Sequence, residues 1–174
     1  GVDGDDVTNK SEPLGDRLYR YELMDNQLVR PKLLLDVPAV TQSKYAFHNG
    51  GKILIGPDKN VYLGIGNMEH NTKAENNKTG LPPDGTGGIL HLTQNGEPTL
   101  DDILGKKFPL NLYYAYGIRN SFGMDFDPVT GNLWDTENGP DCCDEINLVK
   151  PGFNSGWVVV QGINDINQTK RYTQ

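Results

Sequence analysis

The sequence predicts an all-β fold of the β-propeller type, and three observations carry that prediction. Twenty-one glycines and eleven prolines in 174 residues are too many for a helix-rich chain, because both residues interrupt helices and populate turns. Between them lie short apolar runs with the two-residue period of a strand. The sequence also repeats itself at a spacing of 71 residues.

Strands are expected, in chain order, at 17–23 (RLYRYEL), 52–56 (KILIG), 61–66 (VYLGIG), 88–93 (GILHLT), 123–127 (GMDFD), 132–136 (NLWDT) and 145–149 (EINLV). Turn signals separate them: Pro57-Asp58, Asn95-Gly96, Thr130-Gly131 and Pro151-Gly152. Segment 68–86 reads as a long polar loop, of the kind that is usually functional or mobile. A short helical turn is expected at Leu100 to Leu104, and frayed polar ends at 1–13 and 163–174.

The repeat is ungapped. Residues 48–67 lie on 119–138, with Asn49 on Asn120, Pro57 on Pro128 and Asn67 on Asn138, and the pairs Ile53/Met124, Ile55/Phe126 and Leu63/Trp134 keep their apolar character in register. A unit of several short strands used twice is what a propeller blade looks like, since a blade has two faces to cover and packs between neighbours. At 71 residues per unit the chain supplies about two and a half blades, where closed propellers have roughly four to eight. Residues 1–174 are therefore expected to form part of a single propeller domain, with remaining blades or another chain completing it. A start at Gly1 instead of Met points to a missing N-terminal portion.

Charge and motifs exclude several function classes. Sixteen Lys and Arg against 23 Asp and Glu give a net charge of -7, which disfavours nucleic acid as a partner. Apolar runs such as Leu33-Leu34-Leu35 and Val158-Val159-Val160 are far short of the roughly 20 residues that span a bilayer. The sequence has no Gly-x-Ser-x-Gly and no phosphate loop, and "GIGNME" (64–69) lacks the third glycine of a dinucleotide fingerprint. His48, His70 and His91 show no metal-ligand spacing. Sequons at Asn9, Asn77 and Asn167 fit a periplasmic or extracellular protein, though chance in an Asn-rich chain explains them too.

Repeat-equivalent positions that differ chemically mark the candidate chemistry. His48 and Arg119 occupy the same place in the two units; a neutral imidazole can accept a proton and a guanidinium can hold an anion by paired hydrogen bonds. The stretch "TENGPDCCDEIN" (136–147) places Gly139-Pro140 in a turn that exposes backbone carbonyls among carboxylates, a donor set suited to calcium and also to an ordinary solvated acidic turn. Cys142 and Cys143 are adjacent. Their Cα atoms, about 3.8 Å apart, are closer than the roughly 4.4 Å lower limit of ordinary disulfides, so free thiols and a strained vicinal disulfide both stay open.

Four landmarks in order, "HNGGKILIGPDKNVYLGIGN", "YGIRNSFGMDFDP", "TENGPDCCDEINLV" and "PGFNSGW", resemble the soluble glucose/sorbosone dehydrogenase family, which includes the aldose sugar dehydrogenases. The resemblance implies a six-bladed propeller that uses pyrroloquinoline quinone (PQQ) and calcium to oxidise aldoses to lactones by hydride transfer, with electrons passed to an external acceptor. It implies His48 as the base on the sugar's anomeric hydroxyl, Arg119 and Asn120 against the quinone, and the carbonyls of Gly139 and Pro140 on calcium. Glu145 and the Ser155 carbonyl would match a second, structural calcium. Family members often carry an Asp nineteen residues after the base, where this sequence has Asn67. The competing reading is a non-catalytic propeller that binds a protein or glycan.

Overall fold

The structure, a computed structural model, describes residues 16–37, 48–99, 102–140 and 143–162. Expectations for 1–13, 163–174 and Leu100 therefore lie outside the described residues. Ten strands occur among them: β1 (Asp16–Met24), β2 (Gln27–Val37), β3 (Lys52–Ile55), β4 (Val61–Ile65), β5 (Gly88–Leu92), β6 (Tyr113–Tyr116), β7 (Ser121–Phe126), β8 (Leu133–Glu137), β9 (Glu145–Val149) and β10 (Phe153–Asn154). All seven expected strands are present. The sequence reading missed β2, β6 and β10; β2 carries Pro31, which removes a ladder donor, and the β1–β2 register slips beside it, between Arg20 and Glu22.

The strands form three sheets in the orders β1-β2, β10-β6-β5-β4-β3 and β7-β8-β9, antiparallel throughout except for the parallel β10–β6 pair. The repeat is visible in them: β3 and β4 of one sheet correspond to β7 and β8 of the next, and β3 lies beside β7. One sheet holds the four strands β3–β6, flanked by two strands on one side and three on the other. The chain is thus a sector of a propeller with one whole blade and parts of two more.

Burial of the central sheet organises this sector. Every residue of β4 and β5 is buried, although a half-exposed strand would alternate. On one face Leu63, Ile65, Leu90 and Leu92 pack with Leu35 and Val37 of β2. On the other, Tyr62, Ile89 and Ala115 pack with Met124, Leu133 and Val149 of the β7-β8-β9 sheet. The outward face of that last sheet is left apolar and exposed at Trp134, Ile146 and Leu148.

One expectation is corrected. Of the turn expected within 100–104, the described part forms a bend at 103–104 and not a helical turn, and a 3-10 turn stands later, at Leu110–Leu112. Segment 68–86 is a connection, as expected, and part of it packs inward while residues 71, 73, 78, 79, 81 and 82 stay exposed. It holds a 3-10 turn at Lys73–Glu75 and a bridge between Thr72 and Leu81, and it buries Met68, Thr72, Ala74, Glu75 and Thr86. Some of its polar residues bond one another, as Asp84 does with His70 and Thr86.

Ile89 is fully buried between two sheets. Ile89→Ala is expected to lower stability by about 2–5 kcal/mol, the range for large-to-small changes in a packed core, read as a reduced denaturant midpoint at unchanged slope.

Candidate functional site

Antiparallel alternation brings the candidate residues to one end of the sheets. The start of β3, the end of β4, the starts of β5 and β7, the end of β8 and the start of β9 all lie there by the strand pairings. His48 precedes β3, Asn67 follows β4, Arg119 and Asn120 precede β7, Gly139 and Pro140 follow β8, and Glu145 opens β9. Backbone bonds tie these loops together: the Asn67 N–H donates to the Arg119 carbonyl at 2.8 Å, and the Asn138 N–H to the Asn120 carbonyl at 3.0 Å.

His48 is half-buried and adopts φ of 56°, a left-handed conformation uncommon for a side-chain-bearing residue. It lies so close to the end of β4 that a Cβ on Gly66 would collide with the His48 carbonyl, so only glycine fits at 66. The His48 Nδ1 is 2.8 Å from the Asn67 Oδ1. Behind it, the Asn67 amide nitrogen donates to the Glu75 Oε2 at 3.0 Å. His48 shares a cleft with Asn49, Lys52 and Asn120.

A second, adjacent cleft is lined by Arg119, Gly139, Pro140, Glu145, Ser155 and Trp157. Arg119 Nη1 donates to the carbonyls of Asn138 and Gly139, at 3.1 Å each, and its guanidinium carbon lies 5.3 Å from the centre of the Trp157 ring. The Gly139 carbonyl therefore already accepts one hydrogen bond. The structure brings Arg119, Gly139, Pro140, Glu145 and Ser155 to one cleft and His48 and Asn120 to the other, while Asn67 lines neither and joins them from behind.

Carboxylates gather under the second cleft because of strand periodicity. On β8 the alternation puts Leu133, Asp135 and Glu137 on the same inward face, running from apolar core to the loop end. The Ser155 hydroxyl lies 2.5 Å from Glu137 Oε2 and 3.3 Å from Glu145 Oε2. The Asn147 amide donates to both carboxylates, at 3.4 and 3.3 Å. Burial pushes the Glu137 carboxyl up to about 7, and the nearby Asp135 and Glu145 push the same way, against the pull of Ser155 and the Arg119 N–H. Glu145 Oε1 also accepts from the Gly162 N–H at 2.8 Å. Asp144 accepts from the Gly139 N–H at 3.0 Å. Cys143 is disulfide-bonded and Cys142 is the one other cysteine in the sequence, so the free-thiol alternative is excluded for Cys143.

The remaining histidines are built into the framework. His70 is buried with Nδ1 at 2.8 Å from Asp84. His91 bonds Asp58 and Thr99 and stacks on Tyr62. Sequence reasoning missed Glu75, Glu137 and Trp157. The period of β8 was a usable signal for Glu137, whereas Glu75 stood unmarked within a polar stretch.

Comparison with known proteins agrees with the four sequence landmarks. Residues 6–173 match the family Glucose / Sorbosone dehydrogenase. The chain is 30% identical over 163 residues to quinoprotein glucose dehydrogenase B of Acinetobacter calcoaceticus, covering 86% of this chain and 33% of that protein. It is 32% identical over 120 residues to the aldose sugar dehydrogenase YliI of Escherichia coli (strain K12), covering 67% of this chain and 31% of that protein. The PQQ-bound aldose sugar dehydrogenase of Streptomyces coelicolor superposes with a TM-score of 0.66 at 33% identity, over 86% of this chain and 42% of that one. The chain spans about a third of the length of the curated relatives it matches.

Asp135 is fully buried and accepts a hydrogen bond from the Ser121 hydroxyl. Burial, with Glu145 adding in the same direction, raises its carboxyl from 3.8 to about 6 against the pull of Ser121. Between these values the folded state holds the proton more tightly, so this contribution is complete below 3.8 and is lost as pH rises through about 6. Asp135→Asn is expected to remove roughly 3 kcal/mol or less of that pH dependence; thermal unfolding followed from about pH 4 to 8 should give a flatter profile than the parent's.

Proposed function

Because the chain belongs to the glucose/sorbosone dehydrogenase family, we propose that the protein is a quinoprotein aldose dehydrogenase that oxidises sugars to lactones with PQQ and calcium. The observation that carries this reading is a candidate base, His48, held through Nδ1 by Asn67 at the same end of the sheets as the cationic Arg119. Bound PQQ would supply the quinone that accepts the sugar's hydride. His48 would remove the proton from the anomeric hydroxyl through its other ring nitrogen.

The residues present fit such a cofactor. Arg119 Nε is a buried donor with no acceptor among the described residues, and a buried unpaired donor is costly unless a ligand oxygen meets it. Arg119 would supply that contact, with Asn120 beside it in the His48 cleft. The carbonyls of Gly139 and Pro140 would serve calcium, with the Gly139 oxygen shared with Arg119. Glu145 and Ser155 would serve a second calcium; the crowding of Glu137 and Glu145 around one hydroxyl is electrostatically relieved by a cation.

The apolar face exposed at Trp134, Ile146 and Leu148 suits packing against the remaining blades, where side chains for the PQQ carboxylates would reside, or against another chain. The electrons would leave to an external acceptor. A periplasmic or extracellular location is supported by the disulfide at Cys143 and by the Asn77 sequon on the described surface.

The test is to add PQQ and calcium to the full-length protein and follow dye reduction with a panel of aldoses. Absence of both PQQ binding and dye reduction would reject the enzyme in favour of a non-catalytic propeller. His48→Ala is expected to reduce turnover by about 100- to 10,000-fold, the usual worth of a general base, while PQQ binding persists. Equal loss of both would show that His48 holds the cofactor and is not the base.

A further inference from the structure

We propose that Glu75 is a positioning residue: by fixing which way the Asn67 amide faces, it sets the tautomer of His48 and keeps the outer ring nitrogen a proton acceptor. The inference rests on the reading of His48 as the base and explains how the site works with a neutral amide beside that base.

Glu75 is almost completely buried, at 2% exposure. Its two oxygens have different tasks. Oε1 accepts the Thr72 N–H at 3.1 Å and so closes the 3-10 turn on which Glu75 lies. Oε2 has no part in that turn; it accepts the Asn67 amide nitrogen at 3.0 Å and the Trp157 indole N–H at 3.2 Å. A carboxylate accepting from three donors can only accept, so Asn67 must turn its NH2 toward Glu75. Its Oδ1 then faces His48, 2.8 Å from Nδ1, and also lies at the limit of reach of the Glu69 N–H, at 3.5 Å.

The consequence for His48 is a matter of donors and acceptors. An amide oxygen can only accept, so Nδ1 carries the hydrogen, and the lone pair of the neutral ring resides on Nε2. Were the amide reversed, Nδ1 would have to accept and Nε2 would hold the proton, leaving nothing to receive one from a sugar hydroxyl. Asn, unlike a carboxylate, presents a donor or an acceptor according to its flip, and the choice is made by the group behind it. The same Glu75 oxygen steadies Trp157, whose ring lies against Arg119. One buried carboxylate thus supports both the base and the cationic clamp.

The test uses the ¹⁵N resonances of His48 in full-length protein without cofactor, at a pH where the ring is neutral, assigned by their loss in His48→Ala. Wild type should show hydrogen on Nδ1; hydrogen on Nε2 overturns the proposal whether or not any variant folds. Glu75→Met, which keeps the length of the side chain and removes both acceptors, should move the tautomer toward Nε2–H and lower kcat about 10- to 100-fold, less than the full worth of a general base, with KM changed less than about threefold. Adding Asn67→Asp to Glu75→Met should restore Nδ1–H and at least about tenfold of the lost kcat, because the introduced carboxylate accepts from Nδ1 with either oxygen and has no flip to be set from behind. A Glu75→Met protein that keeps the Nδ1–H tautomer, or a double variant no better than the single, overturns the proposal. If wild type oxidises no aldose, the function proposed above fails, and the tautomer measurements still decide the role of Glu75.

Discussion

Everything in this sector depends on the central sheet being covered on both faces. A four-stranded blade with apolar residues on each side cannot expose either without loss, at roughly 25 cal/mol for each Å² of apolar surface returned to water. Hence β4 and β5 are buried along their whole length, and β1-β2 and β7-β8-β9 exist as much to cover them as to contribute function. The outer sheets show the converse: β8 and β9 alternate, with the face turned away from the centre left to whatever packs next.

That packing has chemical consequences at the loop end. Close approach of neighbouring sheets draws loops into contact, so Gly66 touches the His48 backbone and the Arg119 carbonyl meets the Asn67 N–H. It also carries carboxylates inward with their strands and turns. Asp135 and Glu137 follow Leu133 along one face of β8, and Glu75 is buried by the folded segment 68–86. Each is held by neutral donors instead of an ion pair: Ser121 for Asp135, Ser155 and the Arg119 N–H for Glu137, and Thr72, Asn67 and Trp157 for Glu75. Carboxyls in such surroundings are pushed toward the neutral form where desolvation wins, as at Asp135 and Glu137.

The parts legible in advance were those written in local pattern. Period-two runs located seven strands, and the 71-residue repeat marked His48 and Arg119 as equivalent positions. Where pattern and context disagreed, context prevailed. β2 was obscured by Pro31, β6 by an unbroken run, Tyr113-Tyr114-Ala115-Tyr116, that lacks two-residue alternation, and the burial of Glu75 by the polar stretch around it.

By itself the sequence determined the all-β class, the repeated unit, the family landmarks and the identity of the groups able to move a proton or hold an anion, because these follow from residue type and short-range spacing. Tertiary structure alone decided which groups meet. It put Glu75 behind Asn67 and Trp157 beside Arg119, joining positions 8 and 38 residues apart in the chain (67 to 75 and 119 to 157). It also set the burial that moves the Glu137 carboxyl. Burial and hydrogen-bond partnership are properties of the packed sheets, and no local pattern encodes them.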